Sequence, residues 1–255
     1  MGTVRNHIQD LAKDRKSFQS HAPLKPNLHP QWHSLKFEEI IKLDGSTAFL
    51  NIDSQNSLLS EKGSGSAEGI WKRARARGGS LENTLRLVEA CRKRGIPCFW
   101  FRYERFRRDS AKFPATVLDT VQWAYWRSAY EDERSVGWDM GFVDEVKGQV
   151  RDEDIEMVYP GHGSIFASTN LQKHFNAKGI RTLLITGYHT DWCVEMAARD
   201  AREFGYIPIV IGDACGTASE EAHESALERI NAGFAPVLST EFIINFLVHA
   251  GKRRP

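Results

Sequence analysis

Two side chains of this 255-residue chain stand where covalent chemistry can be done by a pair: Cys193 in GYHTDWC and Asp53 in NIDSQNS. Each closes a short apolar run, TLLITGY before Cys193 and TAFLNID up to Asp53. Cys193 also opens the amphipathic stretch CVEMAARDAREFG, residues 193–205. A cysteine at a strand–turn–helix junction meets unpaired backbone N–H groups and the positive end of a helix dipole, and both favour thiolate over thiol. Such a thiolate attacks a carbonyl carbon, and the same N–H groups hold the resulting oxyanion. Asp53 is the carboxylate able to take the thiol proton. The competing reading makes Cys193 an inert buried cysteine and Asp53 a turn or capping carboxylate.

The remaining reactive residues read more plainly. Of the other three cysteines, Cys91 falls on the core face of a helix and Cys98 inside a strand, and Cys215 is an outside candidate beside Asp213. Asp213 reads as a loop-organising carboxylate and His223 as a helix-face residue. Arg102 ends a strand and can hold a substrate carboxylate. Trp123, Trp126 and Tyr130 recur at helical spacing, which suits a core, a subunit interface or an aromatic wall over a pocket. KRARAR (72–77) and RYERFRR (102–108) are basic, but the net charge is only +1, so solvated or salt-bridged loops are expected rather than nucleic-acid or membrane contacts. No CxxC, HExxH, P-loop or GxGxxG follows the first strand, and neither a metal nor a nucleotide cofactor is expected.

The elements that must position these residues alternate in type. Apolar runs at 47–53, 96–103, 154–160, 182–188, 207–214 and 235–240 read as strands. Amphipathic stretches at 80–95, 169–179, 193–205, 219–233 and 241–250 read as helices, with Ser80 and Ser219 as caps. In the first, Leu81, Leu85, Val88 and Cys91 share a face; in the third, Val194, Ala197, Ala198, Ala201 and Phe204 do. Near-continuous apolar strands alternating with helices predict an α/β fold: a doubly wound, Rossmann-like three-layer sandwich with a six-stranded, mostly parallel sheet. In such sheets the site lies at the carboxyl ends of the strands, at the switch in strand order. Asp53 and the GYHTDWC turn both fall there.

A hydrophobic fraction of 41% and a charged fraction of 26% fit one large globular domain, residues 46–255. Residues 1–45 carry the Pro- and His-rich HAPLKPNLHPQWH and read as an N-terminal extension, either an arm on a surface or neighbouring subunit, or a partly disordered tail. No leader-like segment and no apolar run of membrane-spanning length is present, so a cytoplasmic protein with reduced thiols is expected.

ITGYHTDWCVEMAARDAREFGYIPIVIGDACGTASEEAH resembles the core of the isochorismatase-like cysteine hydrolases. FLNIDSQNS is similar to that family's Asp-x-Gln-Asn segment, and GWDMGFVDEV and SIFASTNLQKHF match in order and spacing. The resemblance spans about residues 45–245 and implies hydrolysis of a small amide, ureido or carbamoyl-type C–N bond, without a cofactor, in a homodimer or homotetramer. It makes Cys193 the nucleophile and Asp53 the base. It also implies a cis Tyr188–His189 peptide and an oxyanion hole from the N–H groups of His189 and Cys193. Arg102, Tyr159, Trp126, Phe166 and Gln55 would then line the substrate pocket. One departure stands out. The family's catalytic lysine lies four residues before the Ser-x-Phe segment, and counting back from Ser164 gives Pro160, preceded by Tyr159. Lys147 and Lys173 lie on flanking helices. His162 is the expected substitute and His189 the second candidate. The nicotinamidase-type metal set is missing its histidines after the second strand, so no metal is expected. Two alternatives remain: Asp-led vinyl-ether hydrolysis with Cys193 a bystander, or a binding protein that kept the pocket and lost turnover.

Overall fold

The apolar runs form six strands: β1 (Thr47–Ile52), β2 (Cys98–Tyr103), β3 (Ile155–Tyr159), β4 (Thr182–Tyr188), β5 (Ile207–Gly216) and β6 (Val237–Leu238). The structure, a computed structural model, describes residues 28–104, 117, 121, 133–161 and 163–250. The strand order is β3-β2-β1-β4-β5-β6, and every pairing is parallel. β1 and β4 are buried at every residue, as central strands covered on both faces must be. The chain lays down β1, steps outward to β3, then returns to place β4 on the other side of β1. The switch in strand order therefore lies between β1 and β4, whose register runs from Thr47 opposite Thr182 to Ile52 opposite Gly187.

The longest helices among the described residues are α1 (Ser80–Arg92), α2 (Leu171–Lys178), α3 (Glu195–Glu203), α4 (Glu220–Gly233) and α5 (Thr240–His249). Ser219 caps α4 as expected, its hydroxyl accepting from the Ala222 N–H. Ser80 does not cap α1. Gly79 takes that position, where an added Cβ would sit 2.5 Å from the carbonyl oxygens of Arg73 and Ala74. The Ser80 hydroxyl instead meets that of Tyr188 at 2.8 Å. On α3, Ala197, Ala198 and Ala201 are fully buried, and their small size lets the helix approach the sheet closely. Phe204 departs from that face. It lies beyond the last turn, is 51% exposed, and stacks on Phe166.

The described part of the expected extension packs on its own chain. Leu28, Trp32, Phe37 and Ile41 join the core. The Trp32 indole N–H donates to the Asn231 carbonyl at 2.6 Å, and the Thr182 hydroxyl donates to the Ile40 carbonyl. Residues 28–45 thus close the amino-end edge of the sheet, opposite the strand ends that carry Asp53 and Cys193. No helix among the described residues is long and apolar enough to cross a membrane.

Candidate active site

Asp53 leaves β1 in the left-handed region, with φ 57°, a conformation aspartate tolerates better than most residues. Its N–H donates to the Phe101 carbonyl, and its own carbonyl accepts from the Gln55 N–H. Both bonds hold the side chain at the strand end, where it is 1% exposed. Gln55 fixes the same corner rather than lining a pocket. Its amide donates to the Tyr103 and Met140 carbonyls and accepts from the Tyr103 N–H, all while buried. A side chain engaged in this way has its polar atoms turned into the fold, which corrects the expectation that it faces substrate.

Beside it, β4 ends at the cis peptide Tyr188–His189 and enters a wide π-type turn, Thr190–Val194. Close approach of β4 to β1 depends on Gly187. Its φ is +126°, and an added Cβ would lie 2.0 Å from the Ile52 carbonyl oxygen. Cys193 lies within the turn, ahead of α3 rather than as the first residue of that helix, and is 5% exposed. This overturns the expected resting thiolate. Burial pushes the thiol well above its usual range, and the charge of Asp53 pushes the same way. Hydrogen bonds from the Tyr159 hydroxyl and the His189 backbone amide pull it down, but by less. Burial and the Asp53 charge thus favour the thiol over the thiolate.

Tyr159 completes the cluster. It is the last residue of β3, 2% exposed, and its hydroxyl donates to Asp53 Oδ2 at 2.5 Å while lying 3.4 Å from Cys193 Sγ. Burial, then the neighbouring charge of Asp53, favours the neutral phenol. Named from the sequence only for the substrate wall, Tyr159 instead touches both residues of the expected reacting pair. Its signal in the sequence was one position from the empty lysine slot.

The other sequence candidates divide. The His189 ring lies between two side chains: Nδ1 is 3.2 Å from the Thr217 hydroxyl and Nε2 3.6 Å from Glu68 Oε2. Thr217 in turn donates to Asp191 at 2.5 Å. Thr217, Asp191 and Glu68 were not singled out from the sequence, because only the fold brings them to the turn. Tyr188 points away from the cluster, to Ser80. Arg102 pairs with Glu104 at 2.5 Å and Glu156 at 2.6 Å, so its charge is already answered by two carboxylates. Phe166 packs against Phe175, Phe204 and Tyr206, a hydrophobic cluster rather than a pocket wall. Asp213 accepts from the Thr240 N–H and hydroxyl at the start of α5, the loop-organising role expected. His223 bonds the Thr190 hydroxyl at 2.8 Å and so braces the turn. Of the basic run, Arg73 donates to the Thr217 carbonyl, while Arg75 donates to the Leu59 carbonyl and pairs with Glu145. His162 and Trp126 lie outside the described residues. Among the described residues no group of His, Cys, Asp and Glu side chains could hold a metal ion.

With this geometry in place, comparison with known proteins is direct. The Isochorismatase domain family model matches residues 47–242. The chain belongs to the isochorismatase family. It is 30% identical over 208 residues to the ureidoacrylate amidohydrolase RutB of Methylobacterium radiotolerans, covering 77% of this chain and 78% of that protein. It is also 30% identical over 155 residues to nicotinamidase 3 of Arabidopsis thaliana, covering 61% and 73%. Its fold is similar to that of a cysteine hydrolase from Pseudomonas syringae pv. phaseolicola 1448A, with a TM-score of 0.66 at 16% identity over 82% of this chain and 95% of that one. The matched span includes both the Asp53 corner and the Cys193 turn. The family resemblance places a lysine near Ser164, and in this member the Tyr159 hydroxyl lies against Asp53 and Cys193.

Proposed function

We propose that this isochorismatase-family hydrolase cleaves the C–N bond of a small amide, ureido or carbamoyl compound through an acyl-enzyme on Cys193. The observation that carries the reading is the convergence of Asp53 and Cys193, from the ends of adjacent central strands, into one buried hydrogen-bonded cluster. The amidohydrolase names of its relatives agree with the chemistry such a pair performs.

In the first step the Cys193 thiol proton passes to the Asp53 carboxylate and the sulfur attacks the substrate carbonyl carbon. The carbonyl electrons move onto oxygen, which the His189 and Cys193 backbone N–H groups receive. Collapse breaks the C–N bond, and the departing nitrogen takes the proton from Asp53. A thioester remains. Water then attacks it, giving a proton to Asp53; the C–S bond breaks, and the thiolate recovers that proton. Because the pair holds one negative charge before and after the first transfer, burial does not by itself oppose the transfer.

The test is turnover of a panel of primary amides and ureido acids, nicotinamide and ureidoacrylate included. Cys193→Ala and Asp53→Ala should each lose at least about 1,000-fold in kcat/KM. Activity retained in Cys193→Ala but lost in Asp53→Ala would transfer the chemistry to Asp53 alone.

A further inference from the structure

We propose that the Tyr159 hydroxyl is the third catalytic group of this site, a neutral donor that turns from the Asp53 carboxylate to the Cys193 sulfur as the thiol proton moves the other way. The proposal rests on the hydrolytic reading above and concerns the same atoms.

Geometry carries it. The phenol oxygen lies 2.5 Å from Asp53 Oδ2, a length typical of a hydroxyl donating to a carboxylate. The same oxygen lies 3.4 Å from Cys193 Sγ, within the longer reach of a hydrogen bond to sulfur. One rotation about the phenol C–O bond therefore redirects the proton from one partner to the other, and no heavy atom needs to move. The backbone beneath is held by the neighbouring strand. Tyr159 is paired with Tyr103 in the sheet, and its carbonyl accepts from the Glu104 N–H at 2.9 Å.

The proton count closes. At rest, Cys193 and Tyr159 each hold one proton and Asp53 holds none. After transfer, Asp53 and Tyr159 each hold one and the sulfur holds none. The negative charge has moved from carboxylate to sulfur inside a buried cluster, where a donor is worth more than in water. A donor fixed on Asp53 would resist that movement. One that follows the charge assists it. A lysine at this place would offset the charge on whichever of Asp53 and Cys193 carries it; a neutral tyrosine leaves these three residues with one negative charge. Asp53 and Cys193 are the charged or titratable groups acting on the Tyr159 hydroxyl among the described residues.

The distinction has a measurable sign. Tyr159→Phe removes a donor from both anions, so Asp53 and Cys193 should each hold their protons to higher pH. Tyr159→Lys adds a cation and should do the reverse. The experiment follows the pH dependence of iodoacetamide alkylation at Cys193, read by peptide mapping, together with kcat/KM against pH for the amide of the panel that turns over. Tyr159→Phe is expected to raise the alkylation midpoint by about one pH unit, to move the kcat/KM profile upward, and to lower its maximum by roughly 10- to 100-fold. Tyr159→Lys is expected to move both profiles downward. Full activity with unmoved profiles in folded Tyr159→Phe overturns the proposal, whatever Cys193→Ala does. Retained turnover in Cys193→Ala instead overturns covalent catalysis by Cys193, while the alkylation midpoint still reports the Tyr159 contact. Where Tyr159→Phe does not fold, 3-fluorotyrosine incorporated at position 159 keeps the shape and strengthens the donor. Both profiles should then move downward, and unmoved profiles would again overturn the proposal.

Discussion

At the scale of single residues, the chemistry turns on what burial does to a thiol. A cysteine near a helix start suggests an activated thiolate, but Cys193 is enclosed and faces a carboxylate, and these two effects outweigh the donors around it. On the proposed mechanism the nucleophile is activated only as it reacts. The expected consequence is slow alkylation of Cys193 at pH 7, slower than that of a free cysteine. Asp53→Asn removes the opposing charge, so it should speed alkylation of Cys193 while abolishing turnover; a mutant that alkylates more slowly would contradict the assigned balance. Asp53 and Cys193 were legible in the sequence because each closes an apolar run. Tyr159 was not legible as their partner. Its strand is separated from β1 by β2, and only the length of the tyrosine side chain at the strand ends brings the hydroxyl across. Gln55 and Phe166 were misread for a related reason: proximity to a recognisable segment does not say which way a side chain points.

At the scale of elements, the site is made by the meeting of β1 and β4. Every residue of both strands is buried, and their register sets the Asp53 corner beside the Cys193 turn. Gly187 is the condition for that approach. Gly187→Ala would drive a methyl group into the Ile52 backbone, which cannot yield as a flexible side chain would. It is expected to destabilise the fold by at least about 3 kcal/mol in urea denaturation, and any folded fraction should lose activity. A near-neutral effect would mean the two strands are not held as described. The strands themselves were readable from apolar runs and the helices from their periodicity. Ends were less so. β6 is two residues long, and Ser239 directly behind it already caps α5. The entry to α1 was misassigned by one residue, since crowding by the carbonyls of Arg73 and Ala74 admits only glycine at the cap.

At the scale of the whole molecule, the two ends of the sheet do different work. The carboxyl ends carry the cluster of Asp53, Tyr159 and Cys193. The amino ends are closed by residues 28–45, whose buried Leu28, Trp32, Phe37 and Ile41 extend the core. Composition alone gave that segment no helical or strand period, so its packing could not be foreseen; a few large apolar side chains spaced along an irregular path are enough to anchor it. Trp32→Ala should cost about 3 kcal/mol of stability and leave kcat/KM at 25 °C nearly unchanged, because the lost contacts, with the Asn231 carbonyl and the Arg202 guanidinium, lie at the far end from Cys193. A selective loss of activity in a fully stable Trp32→Ala protein would contradict this division of labour.

The central claim, covalent catalysis by Cys193, is tested most directly by intact-protein mass spectrometry of enzyme acid-quenched during turnover of the slowest amide substrate. The account predicts a mass increase equal to the acyl group, mapped by peptide digestion to Cys193 and absent from Cys193→Ala. Steady turnover with unmodified Cys193 at every quench time, together with retained activity in Cys193→Ala, would contradict it.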